Sequence, residues 1–225
     1  MNKRTRIILL VIGIPIFTYM FLGQLGVLKL YSNPSTANEP ALKLNSKMLV
    51  SNLFKPRIGD FVCFKFKDEE FGSYIKVNRL CGLENDTLEI KNGIVYLNNL
   101  NLDKDLTLIH NYKVSISVFE NLRKEGLINE SSTSGIISKE SYFVSLNNSI
   151  AERYDLIGNR IIEKKDSESI RKIFNQNWNK DNFGPIIIPE GKIFVIGDNR
   201  DNSNDSRYVG LIDKDKIIGV VVKKF

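Results

Sequence analysis

The sequence has a single histidine, His110, among its 225 residues. A Ser-His-Asp triad needs its histidine beside the nucleophile, and His110 lies far along the chain from the densest polar loop, at residues 197–210. No cluster of residues with the spacing of metal ligands is present either. We therefore expect neither a histidine-based hydrolase nor a metal or other cofactor.

Cysteine is also scarce. Cys63 and Cys81 lie on the two predicted strands of a hairpin whose turn is near residues 68–71. In that register Cys63 faces Val77, which leaves Cys81 about 13 Å away at ~3.3 Å per residue. A disulfide cannot span that distance. Both cysteines are therefore predicted to be small buried apolar residues.

Patterns of nucleic-acid binding are missing too, although the formal net charge is +6. Without an Arg-rich helix or a basic-aromatic motif, the charge favours the lipid bilayer as partner, and no nucleic acid. Lys3, Arg4 and Arg6 precede an uncharged run over residues 7–28, about the ~20 residues that cross a bilayer. This predicts a single-pass anchor in the cell membrane, with a cytoplasmic N-terminus and an extracytoplasmic main domain. A cleaved secretory signal is the alternative, but the run is long for one, and Ala37 lies some distance beyond it.

Strand patterns dominate both ends of the remaining chain. The predicted strands cover residues 47–50, 61–66, 74–80, 88–90, 94–97 and 217–222. Asn92-Gly93 between two of them is a strong signal for a hairpin turn. The predicted fold class is mainly β, with an antiparallel β core.

The pattern changes over residues 103–184, where we predict a mixed α/β insertion. Its predicted elements are a helix capped by Ser117 and ending at Gly126, a helix behind Ser167 that reaches Trp178, and strands at 142–146 and 156–162. The predicted domains are a cytoplasmic tip and transmembrane anchor at 1–30, a β core at 31–102 and 185–225, and the inserted subdomain at 103–184.

The polar loop at residues 197–210, here called the signature loop, carries two arginines and three aspartates close to one another. It resembles the C-terminal signature box of the type I signal peptidases at every fixed position: Gly197, Asp198, Asn199, Arg200, Asp201, Ser203, Asp205, Ser206, Arg207 and Gly210. The resemblance implies a signal-peptidase-like β core and a serine endopeptidase ancestry with a Ser/Lys dyad. It further implies that Ser203 orients the lysine and that Asp205 and Arg207 form an ion pair. We expect a structural role for these residues rather than a new catalytic one.

The segment that bears the nucleophile in this family also has a counterpart. Family members carry Pro-Ser-x-Ser-Met-x-Pro-Thr-Leu, and residues 34–42 align with it without a gap. The turn at residues 55–60 resembles the family's Lys-Pro-x-x-Gly-Asp and fixes the register. The resemblance therefore puts Ala37 at the nucleophile position and Asn38 at the methionine position. Ser35 keeps the serine that helps to line the oxyanion hole in some relatives.

The general base of the family is a lysine, and this chain can be aligned there in two ways. A gapless count back from Gly82 and Asp86 puts Asn78 at the lysine position. Direct matching of Tyr-Ile-Lys puts Lys76 there, but needs a two-residue insertion within a strand. Alanine has no nucleophilic atom, and an asparagine amide is not a useful base near neutral pH. The gapless reading predicts a signal peptidase whose dyad is substituted.

A displaced dyad of Ser35 and Lys76 is the alternative. Each lies two residues before the expected position, and a two-residue shift keeps a side chain on the same face of a strand. Each group would move by roughly 6–7 Å, whereas attack needs reacting atoms about 3–3.5 Å apart.

Three functions follow from these readings. The leading prediction is a non-catalytic binding or assembly factor for exported protein precursors or pilin subunits, because the chain resembles pilus-assembly-associated relatives with a substituted dyad. The second is an active signal peptidase that uses Ser35 and Lys76. A relative of the self-cleaving repressors is the third, and the predicted anchor and the lack of DNA-binding helices disfavour it.

Overall fold

The computed structural model describes residues 8–68, 70, 72–128 and 134–225. Its strands, in chain order, are β1 (Lys29–Ser32), β2 (Lys47–Ser51), β3 (Phe61–Asp68), β4 (Gly72–Gly82), β5 (Thr87–Lys91), β6 (Ile94–Leu97), β7 (Leu100–Asn101), β8 (Ile109–Ser115), β9 (Ser134–Ser138), β10 (Ser141–Asn147), β11 (Phe183–Ile187), β12 (Lys192–Ile196), β13 (Ile212–Asp213) and β14 (Ile217–Lys224). Its α-helices are α1 (Ile14–Gln24), α2 (Ile116–Lys124), α3 (Asn148–Arg153), α4 (Glu168–Phe174) and α5 (Ser206–Val209). The strands pair antiparallel, which confirms the mainly β fold class.

The N-terminal apolar run is helical where it is described. A π-helical turn at Leu9–Gly13 leads into α1, and neither contains a buried residue. Within the described ranges, no helix combines the length and the apolar character that crossing a bilayer requires. The predicted membrane-spanning helix is therefore not confirmed. Lys3, Arg4 and Arg6 lie outside the described residues.

The largest sheet has seven strands in the order β1-β2-β14-β3-β4-β12-β13. Its central hairpin joins β3 to β4, and Cys63 lies directly opposite Val77, as predicted. Cys63 and Cys81 are both buried free thiols, and burial raises the pKa of each to about 12. The prediction of two small buried residues is confirmed. Glu69 and Phe71 of the predicted turn lie outside the described residues.

A second sheet has four strands in the order β11-β5-β6-β7. The β5–β6 hairpin turns at Asn92 and Gly93, whose φ angles are 48° and 73°. Positive φ at both central residues is the requirement of a type I′ turn, so the predicted hairpin is confirmed. A Cβ on Gly93 would lie 2.2 Å from Nη2 of Arg160, so a side chain there would displace that guanidinium.

A third sheet, in the order β8-β10-β9, lies within residues 103–184. The short helices α2 and α3 pack on it around a separate apolar core: Tyr112, Val114, Leu122, Ile128, Val144, Leu146, Ala151 and Leu156. The mixture of helix and strand matches the pattern of the sequence. The domain boundaries at residues 30, 102 and 184 stay a prediction.

Two predicted helices of this region have different ends in the structure. α2 is capped by Ser115, whose Oγ accepts a hydrogen bond from the N–H of Val118, so Ser117 lies inside the first turn. α4 is capped by Ser167 as predicted, but it ends at Phe174. The helix stops because Asn175 adopts a left-handed conformation with φ 53°.

The predicted strand at residues 156–162 is wrong. Ile157–Asn159 forms a 3₁₀ turn, and Arg160 makes only an isolated bridge to Tyr112. The preceding Asp155 has φ 53°, which ends the regular backbone there. Of its apolar residues, Leu156 is buried in the core that contains Tyr112 and Val114 of β8, whereas Ile157 is exposed.

The start of β8 is joined to the signature loop by main-chain hydrogen bonds. The N–H of Ile109 donates to the carbonyl of Asp198 at 3.0 Å, and its carbonyl accepts from the N–H of Arg200 at 2.9 Å. The N–H of Asn111 donates to the Asp201 carboxylate at 2.7 Å. Residue 110, between these contacts, is therefore held at the junction of the third sheet and the signature loop.

That residue is the single histidine, and it is 5% exposed. Burial lowers the pKa of His110, and the nearby charges of Arg160, Arg200 and Lys180 lower it further. The folded protein therefore holds this imidazole neutral, whereas the unfolded chain protonates it near its ordinary pKa of 6.5. The difference in pKa between the two states contributes fully to the free energy of unfolding above pH 6.5. That contribution is lost as the pH falls below this value.

We predict that the free energy of unfolding falls by about 2 kcal/mol between pH 7 and pH 5, because one proton binds only to the unfolded chain. Chemical denaturation of the detergent-solubilised full chain at both pH values measures the change. A His110→Gln variant has no such group, so its stability should be nearly constant over this range. An equal loss in both proteins would contradict the prediction.

Candidate active site

The signature loop is built around a buried ion pair. The guanidinium of Arg207 donates from Nε to Oδ1 and from Nη2 to Oδ2 of Asp205, both at 2.9 Å. Asp205 is 0% and Arg207 2% exposed. Burial on its own raises the pKa of Asp205, but the Arg207 charge and the N–H of Gly197 hold it below its ordinary value. The carboxylate is therefore ionised at neutral pH.

Two further bidentate pairs fix the loop to the rest of the molecule. Asp198 accepts from Nε and Nη2 of Arg79 on β4 at 2.6 and 2.5 Å. Arg200 donates from Nη1 and Nη2 to Asp103 at 2.8 and 2.5 Å. Such two-point contacts fix orientation as well as distance.

Other loop residues complete this support. Asp201 forms an ion pair with Lys180, and Ser206 Oγ accepts from the N–H of Val195 on β12 at 3.0 Å. Gly210 ends α5 with φ 83°, a conformation that favours glycine. The predicted loop residues therefore contact both the seven-stranded sheet and residues 103–184.

The loop also holds the segment that contains Ala37. The main-chain N–H of Asn199 donates to the Ala37 carbonyl at 3.0 Å, and Asn199 Nδ2 donates to the carbonyl of Thr36 at 3.3 Å. A Cβ on Gly197 would lie 2.3 Å from the Ala37 carbonyl oxygen, so only glycine permits this approach. The loop therefore fixes the backbone at the predicted nucleophile position.

A groove of about 730 Å³ runs beside this segment. Residues 31–37 form one wall, residues 74–78 of β4 form the other, and residues 201–204 lie along its length together with Met48 and Tyr208. Ser35, Ala37, Lys76 and Asn78 all line it. The structure therefore brings the four predicted dyad candidates together with Ser203.

Two buried side-chain amides meet beside Ser203, and one of them, Asn78, lines the groove. Asn78 Nδ2 lies 3.4 Å from Ser203 Oγ and 3.5 Å from Asn38 Oδ1. Asn38 Nδ2 donates to the carbonyl of Val77 at 2.6 Å. Asn38 is 0% and Asn78 1% exposed. Asn78 thus faces the serine that the resemblance assigns to orienting a lysine, but it offers an amide in place of an amine.

Lys76 has a different set of contacts. Its Nζ donates to the carbonyl of Asn204 at 2.5 Å and lies 4.5 Å from the centre of the Phe66 ring. Burial lowers its pKa, and the carboxylates of Asp205 and Asp68 act in the opposite direction. Within the described part of the chain, no hydrogen bond joins Lys76 to Ser35. Ser35 Oγ accepts instead from the N–H of Ala37 at 3.4 Å.

The sequence reading did not identify Asp103 and Lys180 as partners of the signature loop. Both belong to residues 103–184, far from the loop in sequence. A buried arginine or aspartate needs a partner of opposite charge. The charged residues of the signature loop therefore indicate that such partners exist elsewhere in the chain. They do not indicate which of the many carboxylates and lysines these partners are.

Comparison with known proteins gives the same family as the resemblance of the signature loop. A family model described as "Signal peptidase, peptidase S26" matches residues 4–225. The chain belongs to the signal peptidase family. It is 28% identical over 179 residues to a signal peptidase I of Buchnera aphidicola, across 74% of this chain and 54% of the relative. It is 29% identical over 197 residues to a signal peptidase I of Aquifex aeolicus, across 84% of this chain and 72% of the relative.

The chain thus spans about half the length of the Buchnera signal peptidase and about seven tenths of the Aquifex one. Among solved structures, a signal peptidase I from Enterococcus faecalis is similar at a TM-score of 0.38 with 18% identity. The match covers 76% of this chain and all of the other. That similarity is too low to carry structural detail from one protein to the other.

We predict that Asp205→Ala destabilises the protein by about 3–5 kcal/mol, because Arg207 keeps its charge in a buried site without a carboxylate. Thermal denaturation of the full chain in detergent measures the loss as a lower melting temperature. Asp213→Ala, which removes the exposed pair with Lys192, is the matched control and should leave the melting temperature nearly unchanged. Equal melting curves for Asp205→Ala and the unaltered protein would exclude a bracing role.

Proposed function

We propose that this signal peptidase family member binds exported polypeptides in extended form and does not cleave them. The observation that supports this proposal is that Ala37 and Asn78 line the same groove, where Asn78 Nδ2 lies 3.4 Å from Ser203 Oγ. Ala37 offers no nucleophile. Asn78 offers no proton acceptor of useful basicity, so both halves of a Ser/Lys mechanism are missing at these positions. Loss of members that act as a unit removes essentially the whole covalent route.

Peptide binding needs neither lost group. β4 is paired with β3 from Gly72 to Arg79, whereas β12 pairs with β4 only at Arg79, Leu80 and Gly82. The remaining edge of β4 borders the groove. An extended chain can add to such an edge through main-chain hydrogen bonds, with its side chains in the flanking pockets.

The relatives' names, signal peptidase I, make exported precursor proteins the proposed class of partner. Pilin subunits are the narrower proposal, which rests on the resemblance to relatives without a dyad. Membrane attachment through residues 1–30 belongs to the same proposal. It is supported by the exposed apolar side chains of α1 and by the basic residues Lys3, Arg4 and Arg6.

An active signal peptidase is the second candidate, because Ser35 and Lys76 line the same groove and burial lowers the pKa of Lys76. A neutral amine is what a lysine base requires. Two hydrogen bonds argue against this candidate. Lys76 Nζ donates to the Asn204 carbonyl, and Ser35 Oγ accepts from the Ala37 N–H. Both groups would have to change partners before they could act together.

We predict that the detergent-solubilised full chain does not convert a purified preprotein to its mature form, whereas the double variant Ala37→Ser with Asn78→Lys does. The retained loop would support the new groups, since Ser203 lies beside position 78. Ala37→Ser alone lacks the base, so it should be at least about 100-fold slower than the double variant. Gel electrophoresis of the preprotein over time measures both rates.

Cleavage by the unaltered protein that Ser35→Ala and Lys76→Met each abolish would refute the proposal in favour of the displaced dyad. Thr36→Ala, next to Ser35 in the same groove, is the control for general damage to the segment. It removes a hydroxyl that bonds Asn202 Nδ2 and should leave any such cleavage intact.

A further inference from the structure

The open edge of β4 ends at a specific residue. In an antiparallel pair, main-chain groups of successive residues point alternately towards the partner strand and away from it. The Val77 carbonyl accepts from Asn38 Nδ2 and therefore points away from β3. By the same alternation Ser73 and Ile75 also direct their N–H and C=O groups to the open edge. A peptide that adds to β4 can use these two residues.

Asn38 closes the edge beyond them. Its amide occupies the Val77 carbonyl at 2.6 Å and is itself fully buried. A peptide that runs along the edge from Ser73 towards Val77 meets a carbonyl that already accepts one hydrogen bond and, next to it, the buried amide of Asn78. A peptide that continued in the same register would have to share the Val77 carbonyl with Asn38 Nδ2, so the edge favours a chain that ends here. The geometry is that of a site for a chain end.

An ammonium group stands where the edge closes. Lys76 lies between Ile75 and Val77, and its Nζ reaches Asn204 along the groove. One of its three N–H groups goes to that carbonyl, while the Phe66 ring covers another side. Burial lowers the pKa of Lys76, and the carboxylates of Asp205 and Asp68 raise it and so favour its charged form. The exposed Ser35 lines the same groove.

We propose that the groove binds the free C-terminal carboxylate of an extended polypeptide, with Ile75 and Ser73 pairing with its last residues and Lys76 binding the carboxylate. A chain that has already been cut or has ended is held in preference to an intact internal segment. The inference rests on the proposed function, since it specifies which part of an exported polypeptide is held. A charge-assisted hydrogen bond to a carboxylate favours the acid over the neutral amide.

Two peptide libraries test this proposal. Both consist of the same random acetylated hexapeptides, but one library ends in a free carboxylate and the other in a carboxamide. The full chain is immobilised in detergent and exposed to an equal mixture, and retained peptides are counted by mass spectrometry. We expect acids to exceed amides by about tenfold or more, since a hydrogen bond to a charged group is worth ~1.5–3 kcal/mol.

Matched variants assign the preference to Lys76. Lys76→Met should lower the acid-to-amide ratio to about one, and Lys76→Arg should retain it. Lys65→Met removes an exposed lysine of β3 outside the groove and should change nothing. Asn38→Met frees the Val77 carbonyl, so amides should then bind and the ratio should fall without loss of total binding.

The outcomes separate this inference from the proposed function. Equal retention of acids and amides by the unaltered protein overturns the carboxylate site but leaves peptide binding intact. A preference that survives in Lys76→Met overturns the role of Lys76. Retention of neither library overturns peptide binding and, with it, the carboxylate site.

Discussion

The buried pair of Asp205 and Arg207 is the interaction on which the site depends. Asp205 also accepts from the N–H of Gly197 at 3.1 Å, and Arg207 donates to the carbonyl of Arg200 at 2.8 Å. One ion pair thus fixes both the beginning and the middle of the signature loop. The loop in turn holds the Ala37 carbonyl. Because a typical domain is stable by only ~5–15 kcal/mol, a pair of this kind decides whether the loop has one conformation.

This support does not depend on the side chains at positions 37 and 78. None of its bonds involves the side chain of Ala37, and only one long contact involves Asn78. A substitution at either position therefore leaves the ion pairs intact.

The sequence predicted the parts of the fold that local chemistry determines. Asn92-Gly93 permits only a tight hairpin, and the hairpin between β3 and β4 follows from alternation, which also placed Cys63 opposite Val77. The strand prediction failed at residues 156–162, where Leu156 joins the core beside β8 from a turn and not from a strand. Long-range pairs such as Asp103 with Arg200 could not be predicted from the sequence, because no local pattern connects two residues so far apart. The roles of Ala37 and Asn78 stay predictions, since they rest on the resemblance.

The pairing of β8 with the signature loop has an architectural consequence. In the described structure, the only carboxylate paired with Arg200 is that of Asp103. The main-chain N–H of Arg200 donates to the carbonyl of Ile109. A shortened chain without residues 103–184 would leave that guanidinium and the Asp198 carbonyl without these partners in the interior. Residues 103–184 are thus no removable appendage, and a minimal version of this protein would have to rebuild the far side of the loop.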